Sequence, residues 1–337
     1  MPPGIRCTPA GTNASFRPSF RWGAVIALLI AVTGLLAACD SAPEQPLRVG
    51  LNPWIGYDPL VLARERRLFP PADLGVVELE TSGESVRQLR NGLIDAAGLT
   101  LPEAMELAAA GVDVRVVAVL SLSRGADAVL ARAGMSRPEH LRGARLGMED
   151  SALAAIMLQR LLEAGGLRQD EVRAVIMPAT EHEAAMTQGS VDAVITFEPV
   201  ISRLASAGFN IVLDSANMQG EVVDVLAVRA EILQSRPRQV ALLLEAFEQG
   251  RRALLADPEA AARELAAGAD LSVEEYVSAL ARIRLFSREH SDAALRALPD
   301  SPLLALSRTG GDLKASGRIM LEPDWRRLFV QPAEVRR

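Results

Sequence analysis

The 337-residue sequence holds only two cysteines, Cys7 and Cys39, and both stand before residue 40. Everything downstream is therefore without a disulfide, a thiolate metal ligand or a thiol nucleophile. Histidine is nearly as scarce, with His140, His182 and His290 scattered along the chain. His182-Glu183 begins like a zinc-protease helix, but Met186 occupies the place of the second metal ligand. No metal and no cofactor are expected. Lysine occurs once, as Lys314, and the formal charge is −6 at pH 7. No basic stripe offers itself to phosphates, which argues against a nucleic-acid partner. The phosphate loop, the dinucleotide fingerprint and the G-x-S-x-G elbow are all missing, and no enzyme is expected. Aromatic residues make up 4% of the chain, so any that cluster near a strand end carry extra information.

Hydrophobic residues, at 49%, are ample for cores, and the length suggests about two domains. Near the amino terminus, Gly23–Leu36 is an unbroken apolar run of fourteen residues. It is short for a membrane span and right for the h-region of a signal peptide. Leu36-Ala37-Ala38-Cys39 follows at once and resembles a bacterial lipobox. That resemblance implies a signal peptide over 1–38, lipidation of Cys39 and a flexible tether over 39–46. Asp40 beside the lipidated cysteine implies retention at the periplasmic face of the inner membrane.

The most informative stretch is internal. Gly92–Gly111 and Gly189–Gly208 align without gaps at an offset of 97 residues, with eight of twenty positions identical. Each copy reads as a turn, a short apolar strand, a helix opened by Pro102 or Pro199, and a glycine stop. The pattern predicts two α/β lobes, and in open α/β sheets ligands sit at the carboxyl edge of the strands. Thr100 and Phe197 are equivalent in the repeat and should face a cleft from opposite sides. Asp95 and Asp192 lie at the strand starts, away from the cleft, and should form turns.

Strands are expected at 47–51, 75–80, 114–120, 144–148, 172–177, 210–213 and 222–228. Ser121–Asp127 and Asp214–Gly220 are polar and read as crossings between lobes. They predict a first lobe of 47–125 with 215–337 and a second of 126–214. From Pro237 to about Gly310 the chain should be almost continuously helical and pack back on the first lobe.

The ordered set Asn52-Pro53-Trp54-Ile55-Gly56-Tyr57-Asp58-Pro59-Leu60, Gly92-x-x-Asp95-Ala96-Ala97, Ser123-Arg124-Gly125-Ala126-Asp127-Ala128, Leu141-x-Gly143 and Gly189-x-x-Asp192-Ala193 with Glu198-Pro199 resembles a known family. It is similar to the solute-binding proteins of ABC importers in the nitrate, taurine, aliphatic-sulfonate and thiamine-pyrimidine-precursor group. The resemblance covers about 47 to 330. It implies an α/β periplasmic-binding-protein type II fold with two crossovers, a monomer, and a cleft that closes on a small-molecule ligand. Its implied partners are the ABC permease and ATPase subunits.

Several residues are placed to meet the ligand. Asn52, Trp54 and Tyr57 share one loop, where the two aromatics either stack on a planar ligand or cap the core. Ser82 and Gly83 open a helix, as an anion site or as an ordinary cap. Asp127 either holds a ligand amine or hydroxyl or pairs with Arg124, and Ser123 lies beside it. Glu149 and Ser151 end the first strand of the second lobe. Glu198, next to Phe197, meets ligand or serves its helix N-terminus. The carboxylates near strand ends favour a neutral or amine-bearing heteroaromatic, such as a pyrimidine-type vitamin precursor, over an anion.

Overall fold

The computed structural model describes residues 45–218, 222–297 and 305–331. The expected signal peptide, the lipidated Cys39 and most of the tether lie outside the described residues. From Pro46 onward the chain forms one compact unit. Its strands, in chain order, are β1 (Leu47–Leu51), β2 (Leu74–Glu78), β3 (Ala96–Thr100), β4 (Val114–Ser123), β5 (Asp127–Ala131), β6 (Arg145–Met148), β7 (Arg173–Ile176), β8 (Ala193–Phe197), β9 (Asn210–Asp214), β10 (Val223–Arg229) and β11 (Ile283–Leu285). They form a six-stranded sheet ordered β11-β4-β10-β3-β1-β2 and a five-stranded sheet ordered β7-β6-β8-β5-β9.

The two sheets repeat one plan. In the first, β1 pairs in parallel with β2 and β3, and β10 runs antiparallel between β3 and β4. In the second, β6 pairs in parallel with β7 and β8, and β5 runs antiparallel between β8 and β9. In each sheet the inner antiparallel strand, β10 or β5, is the one that follows a crossing. Strands buried on both faces need apolar residues on both, which is why β3, β5 and most of β4 read as continuous small and aliphatic runs.

The 97-residue offset persists in atomic contacts beyond the aligned stretch. The backbone N–H of Arg48 donates to Asp95 Oδ2 at 2.8 Å, and its guanidinium donates to the Gly92 carbonyl at 3.2 Å. Arg145 makes the same pair of bonds to Asp192 Oδ2 at 2.9 Å and to the Gly189 carbonyl at 2.8 Å. Each aspartate thus does more than form a turn: it fastens the start of the neighbouring parallel strand. The Arg145 guanidinium holds the Asp192 carboxyl down to about 2.

Two expectations change. The first crossing is short, because β4 continues to Ser123 and Asp127 already begins β5, leaving 124–126 between them. The tail is not purely helical, since Ile283–Leu285 adds a strand to the edge of the first sheet beside β4. Nor does the tail rest on one sheet's helices alone. Helix Leu306–Ala315 packs on both helix Leu101–Ala109 and helix Ala152–Gly165. Arg160 of the latter forms an ion pair with Asp312.

Candidate functional site

The carboxyl ends of β1, β3, β6 and β8 converge on a cavity. After β1 the chain turns through Asn52-Pro53-Trp54 into a short 3-10 turn, Ile55–Tyr57, before the helix Asp58–Glu65 with proline in its first turn. That turn presses both aromatics against the sheet. Trp54 is 6% exposed and Tyr57 2%. A Cβ at Gly56 would sit 2.2 Å from the Trp54 indole nitrogen, and one at Gly98 would sit 2.8 Å from the Tyr57 ring. Only glycine at these two positions lets the rings lie where they do.

Asp224, the second residue of β10, anchors the pair. Trp54 Nε1 donates to its Oδ2 at 3.0 Å, and the Tyr57 hydroxyl donates to Oδ1 at 3.4 Å. The Ser121 hydroxyl also donates to Oδ2. From the other sheet, Phe197 meets Trp54 edge to face, with centroids 6.0 Å apart and planes at 84°. Trp54 therefore serves both readings open in the sequence: it belongs to the core and it walls the cavity. A second depression shares Asn52, Trp54, Tyr57 and Phe197 with the first, so these side chains form the partition.

Of the residues expected at the cleft, Asn52, Trp54, Tyr57, Ser82, Thr100, Asp127, Glu149 and Phe197 line this cavity. Three do not. Gly83 faces a neighbouring depression with Arg87, Asp150 and Arg318. The Ser123 hydroxyl is 2.6 Å from that of Ser215, which also accepts the Gly125 N–H at 2.8 Å, so Ser123 joins the two crossing segments. Glu198 turns into its own helix and away from the cavity. It accepts the Ser202 N–H and hydroxyl, each at 3.0 Å, and pairs with Arg282 at 3.3 Å.

Two carboxylates escaped the sequence reading. Glu103 accepts the Thr100 N–H at 2.9 Å as half of a capping box, and the T-x-x-E spacing was its signal. Asp224 stands alone in the apolar run of β10, and a lone buried charge in such a strand was its signal. Ser151 and Thr196 add hydroxyls, while Leu153, Ala154, Met157 and Ile195 supply an apolar floor.

The electrostatics are one-sided. Glu103, Asp127, Glu149 and Asp224 are all buried, and among the described residues no lysine, arginine or histidine shares the cavity wall. Burial pushes Asp127 up to about 7; the Ser123 hydroxyl opposes this, while Glu103 and Glu198 add to it. Glu149 also rises to about 7, through burial and the charge of Glu103, against the Ala179 N–H and the Ser82 hydroxyl. Burial raises Glu103 as well and raises Asp224 strongly. The Ser82 hydroxyl donates to Glu149 Oε2 at 3.4 Å, so this helix start meets a carboxylate of the other sheet. Four buried atoms of the lining have no hydrogen-bond partner in the protein: Thr100 Oγ1, Asp127 Oδ2, Glu149 Oε1 and Thr196 Oγ1.

Solved structures share this architecture. The periplasmic aliphatic sulphonate binding protein SsuA from Escherichia coli superposes with a TM-score of 0.68 at 20% identity, over 86% of this chain and 93% of that one. The ligand-binding component of an ABC-type import system from Staphylococcus aureus, solved with zinc bound, gives 0.71 at 14% identity, over 87% and 98%. The desulfurization enzyme DSZB gives 0.62 at 17% identity, over 87% and 98%. The fold is that of the periplasmic binding proteins. Among curated sequences, a candidate binding protein of Brucella abortus (strain 2308) is 24% identical over 241 residues, covering 69% of this chain and 74% of its own. The sequence profile of the NMT1-like family matches residues 40–269, well over half of the chain, and the chain belongs to that family.

Proposed function

We propose that the chain is the solute-capturing component of an ABC-type importer, binding a small molecule in the cavity and presenting it to a membrane permease and its ATPase. The observation that carries this reading is the cavity. Its wall draws on both sheets at their strand ends and holds buried polar atoms without partners in the protein. In this reading the lobes are 47–125 with 215–337 and 126–214. The crossings are the hinge, and ligand shifts the population toward the closed form by its higher affinity for that form. No described helix is long and apolar enough to cross a membrane. Attachment to the periplasmic face of the inner membrane is assigned to acyl chains on Cys39 after removal of 1–38.

The ligand class favoured here is a planar heteroaromatic of the pyrimidine type. The Trp54 and Phe197 rings support it, and the four carboxyl groups of the wall, with no positive side chain beside them, disfavour a sulfonate. The fold also serves an enzyme, but this cavity's lining offers neither thiol nor imidazole as nucleophile or base. Binding without turnover is the consistent reading. A thermal-shift panel of pyrimidines, sulfonates, taurine, nitrate and bicarbonate tests it, because a ligand bound by the native state raises the melting temperature. A rise with at least one compound, lost in Trp54→Ala, is expected. A protein that responds to no small solute overturns the proposal.

A further inference from the structure

We propose that the ligand of this cavity is an organic cation, a flat molecule whose amine or amidine N–H groups are taken by Asp127 Oδ2 and Glu149 Oε1. The inference rests on the solute-binding reading and deepens it by fixing the ligand's charge and donor pattern.

The four carboxyl groups of the wall divide by what their oxygens already do. Asp224 accepts from Trp54, Tyr57 and Ser121. One oxygen of Glu103 is held by the Thr100 N–H. These two hold the first sheet's corner in shape. Asp127 and Glu149 differ. They are 4% and 8% exposed, yet each keeps one oxygen with no donor in the protein. Thr100 Oγ1 and Thr196 Oγ1, on residues 8% and 2% exposed, are two more such atoms. Buried acceptors left unpaired cost stability, and a cationic donor reverses that cost because hydrogen bonds between ionised groups are the strong ones.

Other charges fail on the same wall. An anion would add a further negative charge among four carboxyls. The helix start that should receive it, at Thr100–Leu101, already directs the Thr100 N–H to the carboxylate of Glu103. A metal ion fails for a geometric reason. Among the described residues, no three carboxylate, imidazole or thiol side chains converge closely enough to hold one. The Trp54 ring, met edge to face by Phe197, favours a flat cation, since the indole's π-system attracts positive charge.

The test uses the full chain in detergent at pH 8, with thermal shift and calorimetry. The probes are benzamidine, its neutral isostere benzamide, the anion benzenesulfonate, and calcium and zinc chlorides. Benzamidine is expected to raise the melting temperature and to bind at least about tenfold more tightly than benzamide, the step that one charge-assisted hydrogen bond supplies. Benzenesulfonate and the metals should give no shift. Asp127→Asn and Glu149→Gln should each weaken benzamidine about tenfold or more while remaining folded. Benzamide or benzenesulfonate binding as tightly as benzamidine, and losing that binding in Trp54→Ala, would refute the cation and leave solute binding intact. Benzamidine affinity unchanged in both carboxyl variants refutes the assigned acceptors. A protein that answers to no probe, and to no member of a wider metabolite library, loses both readings.

Discussion

Replacing Asp127 by asparagine should stabilise the ligand-free protein, and only above mildly acidic pH. The carboxyl is ordinarily near 3.8 and is pushed up to about 7 in the folded protein, with burial the largest cause. A raised carboxyl binds its proton more tightly in the native state than in the unfolded chain. Its burial is therefore free of penalty below the unfolded value, and the penalty grows as pH rises through the folded one. Three units at 1.36 kcal/mol each set an upper bound of about 4 kcal/mol at pH 8. Part of the shift is shared with Glu103 and Glu198, so about 2 kcal/mol is the working figure for the single group. Asparagine keeps the shape and the oxygen that accepts from Ser123, without the charge. For a protein of this size, at about 2.1 cal/mol/K of unfolding entropy per residue, about 2 kcal/mol corresponds to roughly 3 °C in melting temperature. Urea titrations of both proteins at pH 4.5 and pH 8 measure the effect, because every other titrating group cancels in the difference between them. The gain should shrink to well under half at pH 4.5. A variant less stable than the parent at pH 8, or a gain equal at both pH values, would sink the electrostatic account of the cavity.

Further outcomes follow from the same geometry. Gly98→Ala should drive the Tyr57 ring from its seat and loosen Asp224, costing about 1–3 kcal/mol as overpacking does, measured by urea titration. Trp54→Ala should cost about 3–5 kcal/mol, as large-to-small changes of buried rings do, whereas Trp54→Phe should cost less because it forfeits the Asp224 hydrogen bond but keeps an aromatic against Phe197. Arg318 joins Glu106 of helix Leu101–Ala109 to Asp150 beyond β6. Arg318→Ala should raise amide exchange over 149–154 about fivefold, the effect of about 1 kcal/mol of lost ion pairing, with little change at β2.

The sequence by itself determined the elements and their duplication. Apolar runs, caps and glycine stops are local signals, and the offset of 97 residues marked equivalent corners without any knowledge of pairing. It pointed to Thr100 and Phe197 as facing a cleft from opposite sides, and both line the cavity, one from each sheet; the same offset relates Asn52 to Glu149, which line it too. The aspartates at the strand starts were legible as structural, though their bond to the neighbouring strand was not, because parallel register is not written in either segment alone.

What only the tertiary structure decided is which side chains converge. Asp224 lies 170 residues from Trp54 in the chain, and only the antiparallel pairing of β10 with β3 and β4 brings it opposite Thr100 and Ser121, beneath the indole. Glu103 was visible as a cap, but whether a cap also faces a cavity depends on the helix's rotation against the sheet. Ser123 and Glu198 were drawn from the correct segments yet turn to Ser215 and to Ser202 and Arg282, partners that only the folded chain brings within reach. Local patterning sets where the chain turns. The charge of the pocket emerges only when two sheets, folded from distant segments, place four carboxyl groups on one wall with no cation among them.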